Sequence, residues 1–426
     1  MFSAGATPRG CAEKAGRGLE FGMRFLRHTK PETASPAYGT LMLICCGITF
    51  GCYLAAFMRL PVVPLHAHAL GVDTGRIGII NAAFFLMAGV FSLPLGMVVD
   101  RWGRKRMAAA GLLILALASG GLFACRSFTH FTLAYLVLGV GIAAFGPTMM
   151  TLVAVVSPPS HLGRAYGWYT TAIFCGMSLG PALGGYTART LGAGAVFLSA
   201  AGMLLFDDFI LLRFLPRRLE ARSDQDSGER APGGLKALSR NRPLLGCWLM
   251  TLSACFGLGM FTSFIPLHAQ NRGLDVGQIG GIFFIQGLLN GASRIPFGRL
   301  SDRVARRSIL VVVGIALYVA ALAGCGLAAT MTQFGLAAGL VGIGMGLAFT
   351  SVGALIAEVV PPADRGSAMG GYNTCIYLGM MLSSVAMGKV CETAGFAVGF
   401  YLTAAINLAC LIVFYKLTQT LKPRQA

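Results

Sequence analysis

Twelve stretches of this chain are apolar enough, and long enough, to cross a lipid bilayer as helices, and no other feature narrows its possible folds so far. They run Tyr38 to Val63, Ile77 to Val99, Met107 to Cys125, Phe131 to Val156, Ala165 to Tyr186 and Ala193 to Leu215. The remaining six run Leu244 to Leu267, Gly277 to Phe297, Ser308 to Ala328, Phe334 to Val360, Ala368 to Lys389 and Gly395 to Tyr415. We number them spans 1 to 12. A hydrocarbon layer of about 30 Å is crossed by about 20 helical residues. Inside it every backbone amide must be satisfied by the protein itself, which leaves helices and closed barrels. Barrel strands would read as alternating segments of about 10 residues, and these spans do not alternate. With 55% of residues hydrophobic and 12% charged, the chain lacks the polar surface of a soluble body. The expected fold is all-α and integral to the membrane.

The formal net charge is +18. On a soluble chain that excess would suggest nucleic acid; its distribution here argues for topology instead. Loops after odd spans hold few cations, namely Arg76, Arg126, Arg189 and Arg272. Loops after even spans hold many: Arg101, Arg104, Lys105 and Arg106, then the run from Arg213 to Arg242, then Arg303, Arg306 and Arg307. Such an excess marks cytoplasmic loops. Both termini are therefore expected in the cytoplasm, with the chain a monomer in the plasma (inner) membrane and the lipid bilayer, not nucleic acid, as its surroundings. Residues 1–36 are polar and basic without the apolar core of a signal peptide, and read as a cytoplasmic tail. Nearly all twelve cysteines lie within spans and none shows C-x-x-C spacing, so no disulfide framework, metal site or cofactor is expected.

The chain also repeats itself. "PLHAHALGVDTGRIG" from Pro64 returns as "PLHAQNRGLDVGQIG" from Pro266, 202 residues later. "GMVVDRWGRKR" from Gly96 returns at the same spacing as "GRLSDRVARRS" from Gly298. Further on the spacing is 203: Gly139 and Gly141 answer to Gly342 and Gly344, Gly167 and Gly176 to Gly370 and Gly379. The expected domains are a tail at 1–36, a six-helix bundle at 37–215, a cytoplasmic linker at 216–243, a second bundle at 244–417 and a short tail at 418–426. Two parallel six-helix repeats about a central site describe secondary transporters.

The signature G-x-x-x-D-R-x-G-R-K stands complete at Gly96, Asp100, Arg101, Gly103, Arg104 and Lys105, and its second copy keeps Gly298, Asp302, Arg303, Arg306 and Arg307. On these residues the chain resembles the major facilitator superfamily, over about Tyr38 to Tyr415, and is more similar to its drug:proton antiporters than to its sugar or peptide importers. The resemblance implies a twelve-helix fold in two pseudo-symmetric halves and a gate at the signature. Asp100 would face the start of span 11 near Gly366, and Asp302 the start of span 5 near Gly163, each carboxylate meeting the positive end of a helix. Arg104 and Arg306 would pair with acids on spans 4 and 10. Glu358 suits Arg306, whereas span 4 offers only Val155 at the matching place.

Span 5 carries the antiporter motif of the resembled family at Gly167, Gly176, Gly180, Pro181, Gly184 and Gly185. Gly176, Gly180 and Gly184 recur at i+4 and form one bare stripe. Membrane helices associate closely over such small residues, and the expected neighbour is span 8 of the other half. In span 11 the stripe is broken by Ser383 and Ser384. The motif implies export.

Ionisable residues inside a membrane are functional candidates. Arg294 shares a face of span 8 with Gln286 and Asn290 and is a candidate for binding substrate, as are Tyr372, Asn373 and Tyr377 on span 11. Arg59 in span 1 is a further candidate, with snorkelling to the outer surface as the alternative. Asp207 and Asp208 in span 6 are candidates for carrying protons, with snorkelling toward the cytoplasmic interface as the alternative. The arginine that the resembled family places four residues before G-x-G in span 4 is Tyr135 here. His66, His68 and His268 are expected in solvated loops, and Phe145, Met149, Met260, Phe261 and Phe264 either line a cavity or fill core. No catalytic triad or nucleotide-binding loop is present, so an enzyme is not expected. The reading is a secondary active transporter of small organic molecules by alternating access, coupled to protons and directed outward. The alternatives are an importer of an organic anion, suggested by Arg294, and a transport-inactive sensor on the same fold.

Overall fold

Twelve long helices carry the chain in a computed structural model describing residues 36–158, 161–215, 241–304, 306–361 and 364–419. They are α1 Pro36–Met58, α2 Thr74–Trp102, α3 Arg104–Gly121, α4 Phe128–Val156, α5 Leu162–Leu191 and α6 Ala193–Phe214, then α7 Arg242–Asn271, α8 Val276–Arg303, α9 Arg307–Leu327, α10 Met331–Val359, α11 Arg365–Ala394 and α12 Phe396–Thr418. A short helix, Val62–Ala69, extends α1 after a break at Pro61. Ten of these segments are apolar enough along their length to cross a membrane; α5 and α8, diluted by glycine and polar residues, fall short of that measure. The described residues from Leu41 onward form one compact unit.

Local signals set the helix starts. Asp275 and Gln278 close a capping box on α8, and Thr330 and Gln333 do the same on α10, which satisfies amides that a helix start leaves bare. Short connections make successive helices antiparallel, so the α2–α3 and α8–α9 loops share one end, here called the basic side. Those two loops differ in build. Gly103 alone, at φ 90°, ends α2 and begins α3. Its partner loop runs from the end of α8 at Arg303 to the start of α9 at Arg307. Across this longer loop the repeat spacing passes from 202 to 203.

The two halves pack alike. α2 with α4, α3 with α4 and α3 with α6 recur as α8 with α10, α9 with α10 and α9 with α12. The halves meet along two seams, α2 on α11 and α5 on α8. An aromatic cage is repeated as well. His66 lies edge-on to Phe131 and Phe197, and His268 sits among Phe334, Phe396 and Phe400. The expectation of solvated histidines is corrected for His268, which is 3% exposed. Phe145, Met149, Met260, Phe261 and Phe264 are fully buried and belong to the core.

Candidate solute-binding site

α5 is bare on two faces, and each face seats a different helix. A Cβ on Gly176 would meet the Phe50 carbonyl oxygen and Leu54 nitrogen at 2.8 Å, and one on Gly180 the Leu54 carbonyl at 2.8 Å; one on Gly184 would collide with the Met58 carbonyl. The i+4 stripe therefore packs on α1 of its own half, which corrects the expectation that it faces the helix of the other half. α8 is met by the adjoining face. Gly185 touches the backbone at Val276, Gly277 and Gly280, and Gly280 in turn meets the Pro181 carbonyl. Lower on this seam a Cβ on Gly287 would meet Ser178 Cα at 2.8 Å, while Ser178 Oγ donates to the Phe284 carbonyl at 3.2 Å. The carbonyls of α1 and of α8 can come this near because no side chain intervenes. Gly167 has no neighbour at contact distance and borders a cleft between α5 and α8.

Between the halves the side chains are mostly aromatic. The Tyr169 hydroxyl on α5 donates to the Gly146 carbonyl at 3.2 Å. Tyr53 on α1 is an electrostatic neighbour of both Tyr169 and Tyr377. Tyr372 stands edge-on to Phe349 of α10 at 6.4 Å, and Tyr377 packs on Gly89 of α2. Asn373 is exposed. Arg294 is the cation of this region: its Nε donates to Asn290 Oδ1 at 3.0 Å, its guanidinium lies 4.1 Å over the Phe174 ring, and Tyr372 is its electrostatic neighbour. Asn290 is buried and orients Arg294, while the Gln286 carbonyl lies against Gly342 of α10. Of the expected face, Arg294 reaches toward the other half, over Phe174 of α5. Sequence reasoning missed Tyr53, Tyr169 and Phe174. Tyr169 and Phe174 were legible inside the stretch of the antiporter motif; Tyr53 had no periodic signal to set it apart from core.

The cleft has a volume of about 1160 Å³ and among the described residues is lined by α5 and α8. It runs from Ser178, Leu179 and Phe284 past Arg294 to Arg164 and Arg299.

At the basic side the signature residues divide. The side chains of Asp100, Arg101, Asp302 and Arg303, with the helix starts near Gly163 and Gly366, lie outside the residues whose side chains are described. Gly96 and Gly298 fall within α2 and α8. Lys105 is buried and its Nζ donates to the carbonyls of Leu212 at 2.8 Å and Leu215 at 2.5 Å. It caps α6, where a cation is worth about 1 kcal/mol against the helix dipole. The expected pairing of Arg306 with Glu358 is corrected. Arg306 is the exposed N-cap of α9, and Arg307 holds Glu358 at 3.5 Å and the Ser301 and Ala354 carbonyls at 3.2 and 3.4 Å. The inserted residue in this loop explains the shift, because Arg307 is the counterpart of Arg104 at the spacing of 203. Arg104 keeps buried Nε and Nη1 atoms without a hydrogen-bond partner among the described residues, as the valine at 155 implies.

The intramembrane charges are more deeply placed than expected. Arg59 is 4% exposed, so it does not snorkel; its Nε donates to the Ala55 carbonyl at 3.3 Å and Tyr135 of α4 is its electrostatic neighbour. Asp207 and Asp208 are 6% and 9% exposed, which overturns their snorkelling reading. The Asp207 carboxylate lies against the bare Cα of Gly51 on α1, and Asp207 Oδ2 and Asp208 Oδ1 are buried without a hydrogen-bond partner among the described residues.

A family model described as Major Facilitator Superfamily matches residues 45–290 and 247–426. The chain is 25% identical over 379 residues to the multi-drug resistance efflux pump PmrA of Streptococcus pneumoniae, covering 86% of this chain and 93% of that one. It is 25% identical over 385 residues, with the same coverage, to the multidrug resistance protein MdtG of Proteus mirabilis. Its fold is shared with a bacterial homologue of the human lysosomal transporter Spinster, solved inward-facing and unoccupied, at a TM-score of 0.77 and 14% identity over 92% of this chain and 100% of that one.

Proposed function

Because the chain belongs to the Major Facilitator Superfamily, we propose from that premise that it exports small organic molecules out of the cytoplasm, drawing on inward proton movement. It is a multi-pass membrane transporter, and its relatives include one named as a multi-drug resistance efflux pump and one named as a multidrug resistance protein. The observation that carries the outward direction is the double seat of α5, with Gly176, Gly180 and Gly184 on α1 and Pro181 and Gly185 on α8. This motif ties the solute-facing helices of one half to the seam with the other, so rocking of the bundles 37–215 and 244–417 moves both together. The aromatic set Tyr53, Tyr169, Phe349, Tyr372 and Tyr377 suits a moderately apolar solute. In this reading the working unit is a monomer in the inner membrane, with both termini in the cytoplasm.

For the proton we assign Asp207 ahead of Asp208, since its carboxylate is the more buried and adjoins α1, which also carries Tyr53 and Arg59. The signature aspartates Asp100 and Asp302 are assigned to the gate. The test is flux in proteoliposomes of known orientation, with dyes of both charges and an imposed pH gradient. Gradient-driven export in wild type and its loss in Asp207→Asn, with uphill drive gone but downhill exchange kept, is the expected pattern. Export that ignores the gradient removes the coupling, and uptake in place of export reverses the direction. A second reading, import of an organic anion, is favoured by Arg294, which meets no acid among the residues lining its cleft.

A further inference from the structure

We propose that the cleft between α5 and α8 is a membrane-facing site for an amphipathic organic anion, a solute with one apolar chain that arrives from the bilayer rather than from water. The proposal deepens the exporter reading by naming a solute class, and rests on that reading only for the transport step after binding.

The mouth of the cleft lies on the lipid side. On α5 the residues Trp168, Cys175, Leu179 and Tyr186 are exposed along one stripe, away from the glycines that pack on α1. On α8 the exposed stripe is Leu288, Ala292, Ile295 and Arg299, away from the face that packs on α10. Trp168 is 61% and Ile295 65% exposed; in a membrane-spanning helix such an apolar face meets lipid. All of these but Tyr186 line the cleft. Its inner wall is the Arg294 guanidinium stacked on Phe174, with Tyr372 of the inter-half site as the next electrostatic neighbour. Arg294 therefore stands at the junction between a groove open to lipid and the site between the halves.

The chemistry of the lining selects the ligand. Arg164, Arg294 and Arg299 all border the cleft, and no acid among the described residues does. The Arg294 fork holds one hydrogen bond through Nε and otherwise rests on an aromatic face, so a carboxylate, sulfonate or phosphate could engage it bidentately at the expense of a weaker contact. The rest of the wall is mostly apolar, and from Arg294 back to Phe284 along α8 is about 15 Å, enough for an alkyl chain laid along the groove. Drug-sized ligands occupy about 300–1,000 Å³, and the cleft has about 1160 Å³. The site is not a general product of the fold. At the repeat spacing, Arg294, Arg299 and Arg164 answer in sequence to Ser92, Met97 and Ser367, none of them a cation.

Cys175 supplies the readout, since it lines the cleft and is exposed while the other described cysteines are half-buried or buried. In proteoliposomes, N-ethylmaleimide alkylation of Cys175 is followed by mass spectrometry with dansylated undecanoate or its uncharged primary amide present. We expect the acid to slow alkylation at least tenfold and the amide less than threefold, and Arg294→Gln to bring the acid down to the level of the amide. Equal protection by acid and amide in the wild type, which needs no variant to fold, or protection by neither, overturns the proposal. Dye flux in the same liposomes separates the two readings. Protection without flux keeps the site and sinks the exporter, whereas flux without protection keeps the exporter and sinks the site.

Discussion

The two seams between the halves began as copies of one another and now do different things. Toward the ends away from the basic side they still match. Gly280 of α8 meets the Pro181 carbonyl of α5, and Gly78 of α2 meets the Ser384 carbonyl of α11. Next along, Gly291 faces Phe174 as Gly89 faces Tyr377. Between those points they part. Gly287 and Ser178 on the α5–α8 seam answer to Phe85, which is buried, and Met381 on the other. Past Phe174 they part again, for Trp168, exposed on α5, answers to Gly371, which is covered by Trp248 of α7. A duplication preserves the contacts on which both seams close and leaves the remainder free to diverge. One seam is filled with bulk, and the other keeps a cleft with three arginines.

The same exchange appears within each half. Where α5 presents Gly180 to Phe57 of α1, α11 presents Ser383 to Gly259 of α7, so the volume has changed sides. The largest effect should come from breaking the first arrangement. Gly180→Leu should abolish flux, and Gly180→Ala should also lose most of it, because the Cβ alone meets backbone at 2.8 Å and overpacking costs about 1–3 kcal/mol. Flux beside membrane levels is the measurement, and a fully active Gly180→Ala would mean that α1 gives way. Pairing Gly180→Ser with Phe57→Gly copies the second half into the first and should recover part of what Gly180→Ser loses.

The loops provide a smaller contrast. Arg307→Ala should lower the thermal midpoint by an amount equivalent to about 1–2 kcal/mol, since two carbonyls and a half-exposed carboxylate lose their partner. Arg306→Ala should stay within about 0.5 kcal/mol, and a reversed order would restore the pairing read from the sequence. Smaller again, Val155→Glu gives Arg104 the acid that Arg307 already has and should stabilise by about 0.5 kcal/mol; no gain would show that Arg104 points elsewhere. Least of all, Ser383→Ala removes a buried hydroxyl that has no hydrogen-bond partner among the described residues and should leave both yield and flux nearly unchanged. A marked loss there would reveal a partner for that hydroxyl in another conformation.

Much of this was legible in the sequence because span length and repeat spacing are one-dimensional. The twelve helices, the duplication and the family signature all read directly. What failed depended on which way a helix face turns. The stripe Gly176, Gly180 and Gly184 announces close packing but not its partner, since nothing in its own spacing tells α1 from α8. The Arg306 pairing failed because one inserted residue advances a helix start and no pattern of charges reveals where the insertion falls. Asp207 looked marginal because burial of an acid depends on a recess in its neighbour, and Gly51 carries no mark in sequence to single it out among the many glycines here.

The double seat of α5 has a mechanical consequence. Side chains act as springs between helices, because rotamers can adjust and absorb a small displacement before it is passed on. At Gly180 and Gly185 α5 has no side chain to deform, and its main chain rests on the main chain of α1 and of α8, with only the stiff Cβ of Phe57 beside Gly180. Such a joint has almost no backlash. A shift of α8 driven at Arg294 would arrive at α1, and so at the wall beside Asp207, with nothing lost to play in the linkage.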